Sequence, residues 1–116
     1  MAYKSIDSKT AQNLVLLITK WRNNHSLITA NNERWYIGIT NNSSKRKKEH
    51  EINAKNEGYE VSYFEFWNAK TVNIALAVET YWHDRGMLET DRKGNYKSNS
   101  KYIYVYKKYP LFKIIK

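Results

Sequence analysis

The sequence contains no cysteine, one proline and only four glycines among its 116 residues. Without thiols there is no disulfide, no thiolate metal site and no cysteine nucleophile, and the composition agrees with a reducing compartment. With so few breakers there is no linker, repeat or low-complexity tract, so one domain is expected over residues 1–116. Long apolar runs are missing too. The densest, Leu14 to Ile18, is five residues, against the roughly 20 that a bilayer span needs. The opening Met1-Ala2-Tyr3-Lys4-Ser5-Ile6-Asp7 has neither an apolar signal core nor a small-residue cleavage site. The expectation is a cytoplasmic protein with no membrane partner.

Acidic residues are scarce as well. Twenty Lys and Arg against 11 Asp and Glu leave a net charge of +9 and a pI near 9.7. Such an excess favours a polyanionic partner, because each phosphate neutralised releases condensed counterions. Ten tyrosines and four tryptophans are interleaved with the cations, a mixture suited to contacting both backbone and base faces of a nucleic acid. The charge is blocky. Lys45-Arg46-Lys47-Lys48 forms one cluster, and Arg92 to Lys116 holds eight Lys or Arg and no carboxylate. Single carboxylates, among them Glu57, Glu60, Glu65 and Glu79, lie between these blocks. A purely electrostatic binder gains nothing from carboxylates near phosphates, whereas a metal-assisted phosphodiesterase needs one.

Periodicity outlines the fold. Asp7 or Ser8 is expected to cap a helix from about Lys9 to Trp21, with Leu14, Leu17, Ile18 and Trp21 inward. Ser26–Thr29 and Arg34–Thr40 read as a hairpin. Ser43 or Ser44 is expected to cap a charged helix that ends before Gly58. Tyr59 to Trp67 alternates as a strand, with Tyr59, Val61, Tyr63, Glu65 and Trp67 on one side. Thr71 opens a third helix carrying Ile74, Ala75, Ala77, Val78, Tyr81 and Trp82, closed by Gly86. Residues 87–100 read as a polar loop, and Lys101 to Lys107 as a last strand with Tyr102, Tyr104 and Tyr106 together. The fold class is α+β: a small, mostly antiparallel three-stranded sheet flanked by helices. Residues 1–24 form an N-terminal helical extension, 25–107 the core and 108–116 a basic tail.

Chemistry concentrates in Trp35-Tyr36-Ile37-Gly38-Ile39-Thr40-Asn41-Asn42-Ser43-Ser44-Lys45-Arg46-Lys47-Lys48-Glu49-His50. It reads as a strand, a turn and a helix start. Gly38 allows close approach within the strand. Arg46 and His50 stand four apart and share a helix face. A phenol, a guanidinium and an imidazole are thereby offered to one cleft, where a guanidinium can clamp a phosphate and an imidazole can exchange a proton.

On these residues the chain resembles the GIY-YIG nuclease family. The YIG half is literal, Tyr36-Ile37-Gly38, with Arg46 ten residues after the tyrosine and His50 four later. The resemblance covers roughly residues 25–105. It implies a GIY-YIG-like fold and a catalytic glutamate holding one divalent metal, Mg²⁺ or Mn²⁺, for which Glu79 is the candidate. It also implies a substrate-contacting asparagine, Asn95 first and Asn99 second. The GIY half is absent: counting back eleven residues from Tyr36 lands on His25, a substitute for the expected tyrosine whose imidazole suits a general base near neutral pH.

The expected activity is metal-dependent endonucleolytic hydrolysis of DNA. Tyr36 or His25 deprotonates the water, Arg46 stabilises the non-bridging oxygens and His50 orients the water or the phosphate. Lys45, Lys47 and Lys48 hold the DNA backbone. No second DNA-reading module is expected within these 116 residues, so target choice is expected to come from loops, from the basic C-terminal strand or from a homodimer, or to be slight. This architecture suggests a mobile-element, phage or DNA-processing role. Two other classes fit the composition: a nuclease-derived DNA-binding protein without activity, and a protein-interaction or inhibitor module.

Overall fold

A computed structural model describes residues 8–25, 34–89 and 100–110. In chain order the elements are α1 (Lys9–Asn24), β1 (Trp35–Thr40), α2 (Ser43–Asn56), β2 (Tyr59–Asn68), α3 (Val72–His83), β3 (Leu88–Glu89) and β4 (Tyr102–Pro110). The fold is α+β, and the expected strand over Ser26–Thr29 lies outside the described residues. No helix among the described residues is long and apolar enough to cross a membrane.

Each helix is capped by a side chain that accepts an otherwise orphaned amide. Ser8 accepts from the Ala11 amide, Asn42 from Lys45 and Thr71 from Ile74. Asn42 replaces the expected Ser43 or Ser44, because Ser43 is already helical and buried. Gly58, at φ 85°, follows the C-cap of α2 as expected. α1 runs three residues past Trp21, to Asn24, and its buried stripe is Ala11, Leu14, Val15, Ile18 and Arg22. Leu17, expected inward, is 52% exposed. Burial pushes the Arg22 guanidinium below its ordinary pKa, and its cation lies 5.3 Å from the Trp82 ring centre.

The sheet order is β2-β4-β1-β3. β4 is antiparallel to both β1 and β2, and the two-residue β3 adds a parallel edge beside Tyr36 and Ile37. β4 also continues past Lys107 to Pro110, so the first residues assigned to a basic tail belong to the sheet.

Register divides the side chains between two faces, because direct partners in a ladder share a face. Trp35, Ile37 and Ile39 lie opposite Lys107, Val105 and Ile103, and beyond these come Tyr63, Glu65 and Trp67. This is the tryptophan face. Tyr36, Gly38 and Thr40 lie opposite Tyr106, Tyr104 and Tyr102, which pair onward with Phe64, Phe66 and Asn68. This is the tyrosine face. A bulge between Val61 and Tyr63 corrects the expected alternation of β2. The extra residue shifts the phase, so Tyr59 and Val61 fall on the tyrosine face while Tyr63, Glu65 and Trp67 stay on the other.

Helices cover both faces. Ala11, Leu14, Val15 and Ile18 of α1 and Ala75, Val78 and Trp82 of α3 join Trp35, Ile37, Ile39, Ile103 and Val105 in the hydrophobic core on the tryptophan face. α2 lies on the tyrosine face, where His50 meets Tyr104 and Tyr106. The connectivity explains the division. β1, β2 and β3 all run parallel, so β1-α2-β2 and β2-α3-β3 are crossovers in opposite directions, and crossovers of one hand then place their helices on opposite faces. Ile37 is 0% and Leu16 67% exposed. Ile37→Ala is therefore expected to lower the unfolding free energy by about 2–4 kcal/mol, and Leu16→Ala by no more than about 0.5 kcal/mol. Urea denaturation measures both, and equal losses would contradict this division of faces.

Candidate functional site

Tyr36 stands on the tyrosine face, its ring 5.2 Å from that of Tyr106 and inclined by only 8°. Phe64 continues the row, 5.6 Å from Tyr106 and 5.5 Å from Tyr104. Gly38, directly opposite Tyr104, adds no side chain to this crowded surface. β1 then turns at once into α2: the Asn42 amide donates to the Thr40 hydroxyl, 3.1 Å away, and Asn42 caps the helix. This turn sets α2 over the face that carries Tyr36.

His50 is the buried polar centre of the site. The Tyr104 hydroxyl lies 3.0 Å from Nε2 and the Tyr106 hydroxyl 3.2 Å from Nδ1. A neutral imidazole has one N–H and one lone pair, so one hydroxyl accepts while the other donates; a protonated ring makes both hydroxyls acceptors. The imidazole is thus a junction between two phenols, and Tyr106 in turn stacks on Tyr36. His50 was expected to orient the water or the phosphate; in the structure its two nitrogens meet the Tyr104 and Tyr106 hydroxyls.

Arg46 lies one turn earlier on α2, its guanidinium 2.6 Å from the Glu49 carboxylate and its side chain 24% exposed. Lys45, Lys47 and Lys48 are exposed, as a backbone-contacting role requires. Lys47 reaches Glu51 at 3.6 Å between two half-exposed side chains, a pair worth little in water. Lys108 lies within the site, its ammonium 4.6 Å from the Tyr36 ring centre.

The remaining expected residues do not join this cluster. His25 caps the C-terminus of α1, its amide donating to the Arg22 and Asn23 carbonyls. Its ring packs 4.3 Å from Tyr63 and 5.0 Å from Trp21, which places it on the tryptophan face, opposite Tyr36. It therefore does not substitute for a tyrosine beside Tyr36. The described neighbours of β1 are β4 and β3; on β4 the residues opposite Tyr36 and Gly38 are Tyr106 and Tyr104, and on β3 Leu88 lies opposite Tyr36. Glu79 is half-buried on α3, one turn after the buried Ala75 and next to the buried Val78. Arg46 and Glu79 thus stand on helices at opposite faces, and the two helices share β1: α2 continues from its end and α3 packs beneath it. Asn95 and Asn99 lie outside the described residues.

Among the described residues no three His, Cys, Asp or Glu side chains gather as a metal cage. A single carboxylate completed by water suits Mg²⁺ or Mn²⁺, which retain much of their hydration, and does not suit zinc. Of the two residues that sequence reasoning missed, Tyr104 and Tyr106, the signal was present as an alternating Tyr102-Ile103-Tyr104-Val105-Tyr106 strand. Their meeting with His50 depends on strand order, which spacing does not give. No protein-family model, no curated protein and no solved structure matches the chain.

The His50 junction makes a measurable claim. Tyr104→Phe and Tyr106→Phe are each expected to lower stability by about 0.5–1.5 kcal/mol. Each should lose most of that effect when combined with His50→Ala in a urea-denaturation double-mutant cycle. Additive losses would show that the hydroxyls act independently of the imidazole.

Proposed function

We propose that this protein is an endonuclease that hydrolyses DNA phosphodiester bonds with the help of Mg²⁺ or Mn²⁺, the scissile phosphate resting on the tyrosine face beside Tyr36. The observation that carries this reading is the link from Tyr36 on β1 through the stacked Tyr106 to His50 on α2, with Arg46 one turn before the histidine on a lysine-rich helix. The literal Tyr36-Ile37-Gly38 segment and its spacing to Arg46 and His50 support it. So does β4, which supplies phenols on the antiparallel neighbour of β1, where the resemblance expects a tyrosine from the preceding strand.

In this reading Arg46 exchanges its exposed partner Glu49 for non-bridging phosphate oxygens, to which a guanidinium can donate in parallel. Tyr36, as phenolate, takes the proton of the attacking water, and the phosphorus–3′-oxygen bond breaks in line. His50 is a positioning residue: held by Tyr104 and Tyr106, it fixes the phenol that stacks on Tyr36. Glu79 is the carboxylate that the resemblance offers to a divalent ion, which would supply Lewis-acid stabilisation of the leaving oxygen; it stands on α3, the helix packed on the face opposite Arg46.

A second reading, DNA binding without hydrolysis, is favoured by one observation: the helices that carry Arg46 and Glu79 pack on opposite faces of the sheet. Incubation of the pure protein with supercoiled plasmid and Mg²⁺ or Mn²⁺, beside an EDTA control, separates the two. Nicking that EDTA abolishes is the expected result, slowed about a hundredfold or more by Arg46→Ala and by Glu79→Ala. A salt-dependent gel shift without cleavage selects the binding reading. Absence of both leaves the interaction-module class.

A further inference from the structure

We infer that Lys108 is a phosphate-binding residue of the tyrosine face, screened by Glu57 until DNA displaces it. The inference rests on the DNA reading above and adds a contact that motif spacing does not single out. Lys108 alternates with Tyr106 along β4 and so shares the face of Tyr36. Its ammonium lies 4.6 Å from the Tyr36 ring centre and 5.0 Å from that of Tyr59, at the end of the aromatic row. Its backbone amide donates to the Arg34 carbonyl at 3.2 Å, which ties the residue to the turn position just before β1.

The side chain is only 15% exposed, yet its anionic partner Glu57 is 64% exposed and 3.8 Å away. That separation is at the limit of an ion pair, and a partner so open to water contributes little. Two ring faces attract the cation but accept its N–H donors only weakly, whereas a phosphate oxygen offers a charge-assisted bond. Glu57 is the C-cap of α2 and precedes Gly58. Its side chain can swing into solvent without disturbing the helix. Lys107 offers no such role, because its ammonium lies over Trp35 on the opposite face.

The test is fluorescence anisotropy of a short labelled DNA duplex, titrated with salt in EDTA so that no cleavage intervenes. Wild type is expected to bind with an affinity that falls linearly on a log–log salt plot. Lys108→Gln should lower the magnitude of that slope by about 0.9, and Lys108→Arg should leave it unchanged. Glu57→Gln should tighten binding about threefold in the wild-type background and not at all beside Lys108→Gln. Glu51→Gln, which removes the same charge from another surface pair, should act equally in both backgrounds. An unchanged slope in Lys108→Gln, or the same Glu57→Gln effect in both backgrounds, overturns the assignment while the DNA reading stands. If wild type shows no salt-dependent binding, the DNA reading fails and the assignment with it. Should circular dichroism show Lys108→Gln to be unfolded, Glu57→Gln still decides. Tightening beyond that of Glu51→Gln supports the inference, and equal tightening overturns it.

Discussion

The tyrosine face depends on one buried imidazole. α2 has fourteen residues, of which only Ser43, His50 and Ala54 are buried. A helix that is polar almost all round has no apolar stripe to dock with, so something else must hold it to the sheet. His50 does so, gripped at both nitrogens by hydroxyls of the central strand. Remove that grip and Ala54 alone remains as apolar anchorage in the core-facing surface of α2. The position of Arg46, one turn away, and the screen of lysines beside it are consequences of this contact. Structure and candidate chemistry here use the same atoms, which is why the helix can spend its remaining surface on charge.

The opposite face works by other means. Trp21, Trp35 and Trp67 meet edge to face at 5.3 and 5.6 Å, a geometry in which ring edges meet ring faces favourably. Trp35 is buried with Ile18, Ile37, Val78, Ile103 and Val105 in the core, and the partly buried Trp21 and Trp67 pack against it. The chain therefore separates its tasks by face: hydrophobic burial below the sheet, polar and aromatic surface above it. The crossovers enforce the separation, since α2 and α3 return in opposite directions.

Much of this was legible in the residues. The alternation of tyrosines in β4, the stripe of Ala75, Val78 and Trp82, and the glycine after α2 each follow from local rules, and each is present in the structure. The phase of β2 was not legible, because a bulge inserts one residue without any glycine or proline to mark it. Leu17 misled for a different reason: the four-residue window that included it competes with one shifted by a single position, through Val15 and Arg22, and tertiary packing chose the latter. The candidate site was half visible. Tyr36, Arg46 and His50 lie close in sequence, and the turn from β1 into α2 sets the helix of Arg46 and His50 over the face of Tyr36. Tyr104 and Tyr106 reach His50 from more than fifty positions away, and His25 was counted into a site that the continuation of α1 turns it from.

The order of the strands also bears on how the protein assembles. β4, the strand between β1 and β2, is the last described element to be synthesised, and Tyr36 waits for a partner seventy positions later. Until that strand arrives, β1 and β2 have no common neighbour, and nascent chains expose two aromatic ribbons with open hydrogen-bonding edges. Contacts this distant in sequence slow folding, because a long loop must close before any ladder forms. The half-made chain is consequently the species most prone to clump, and escape from that hazard comes all at once, when a single ribbon of tyrosines slots into the gap.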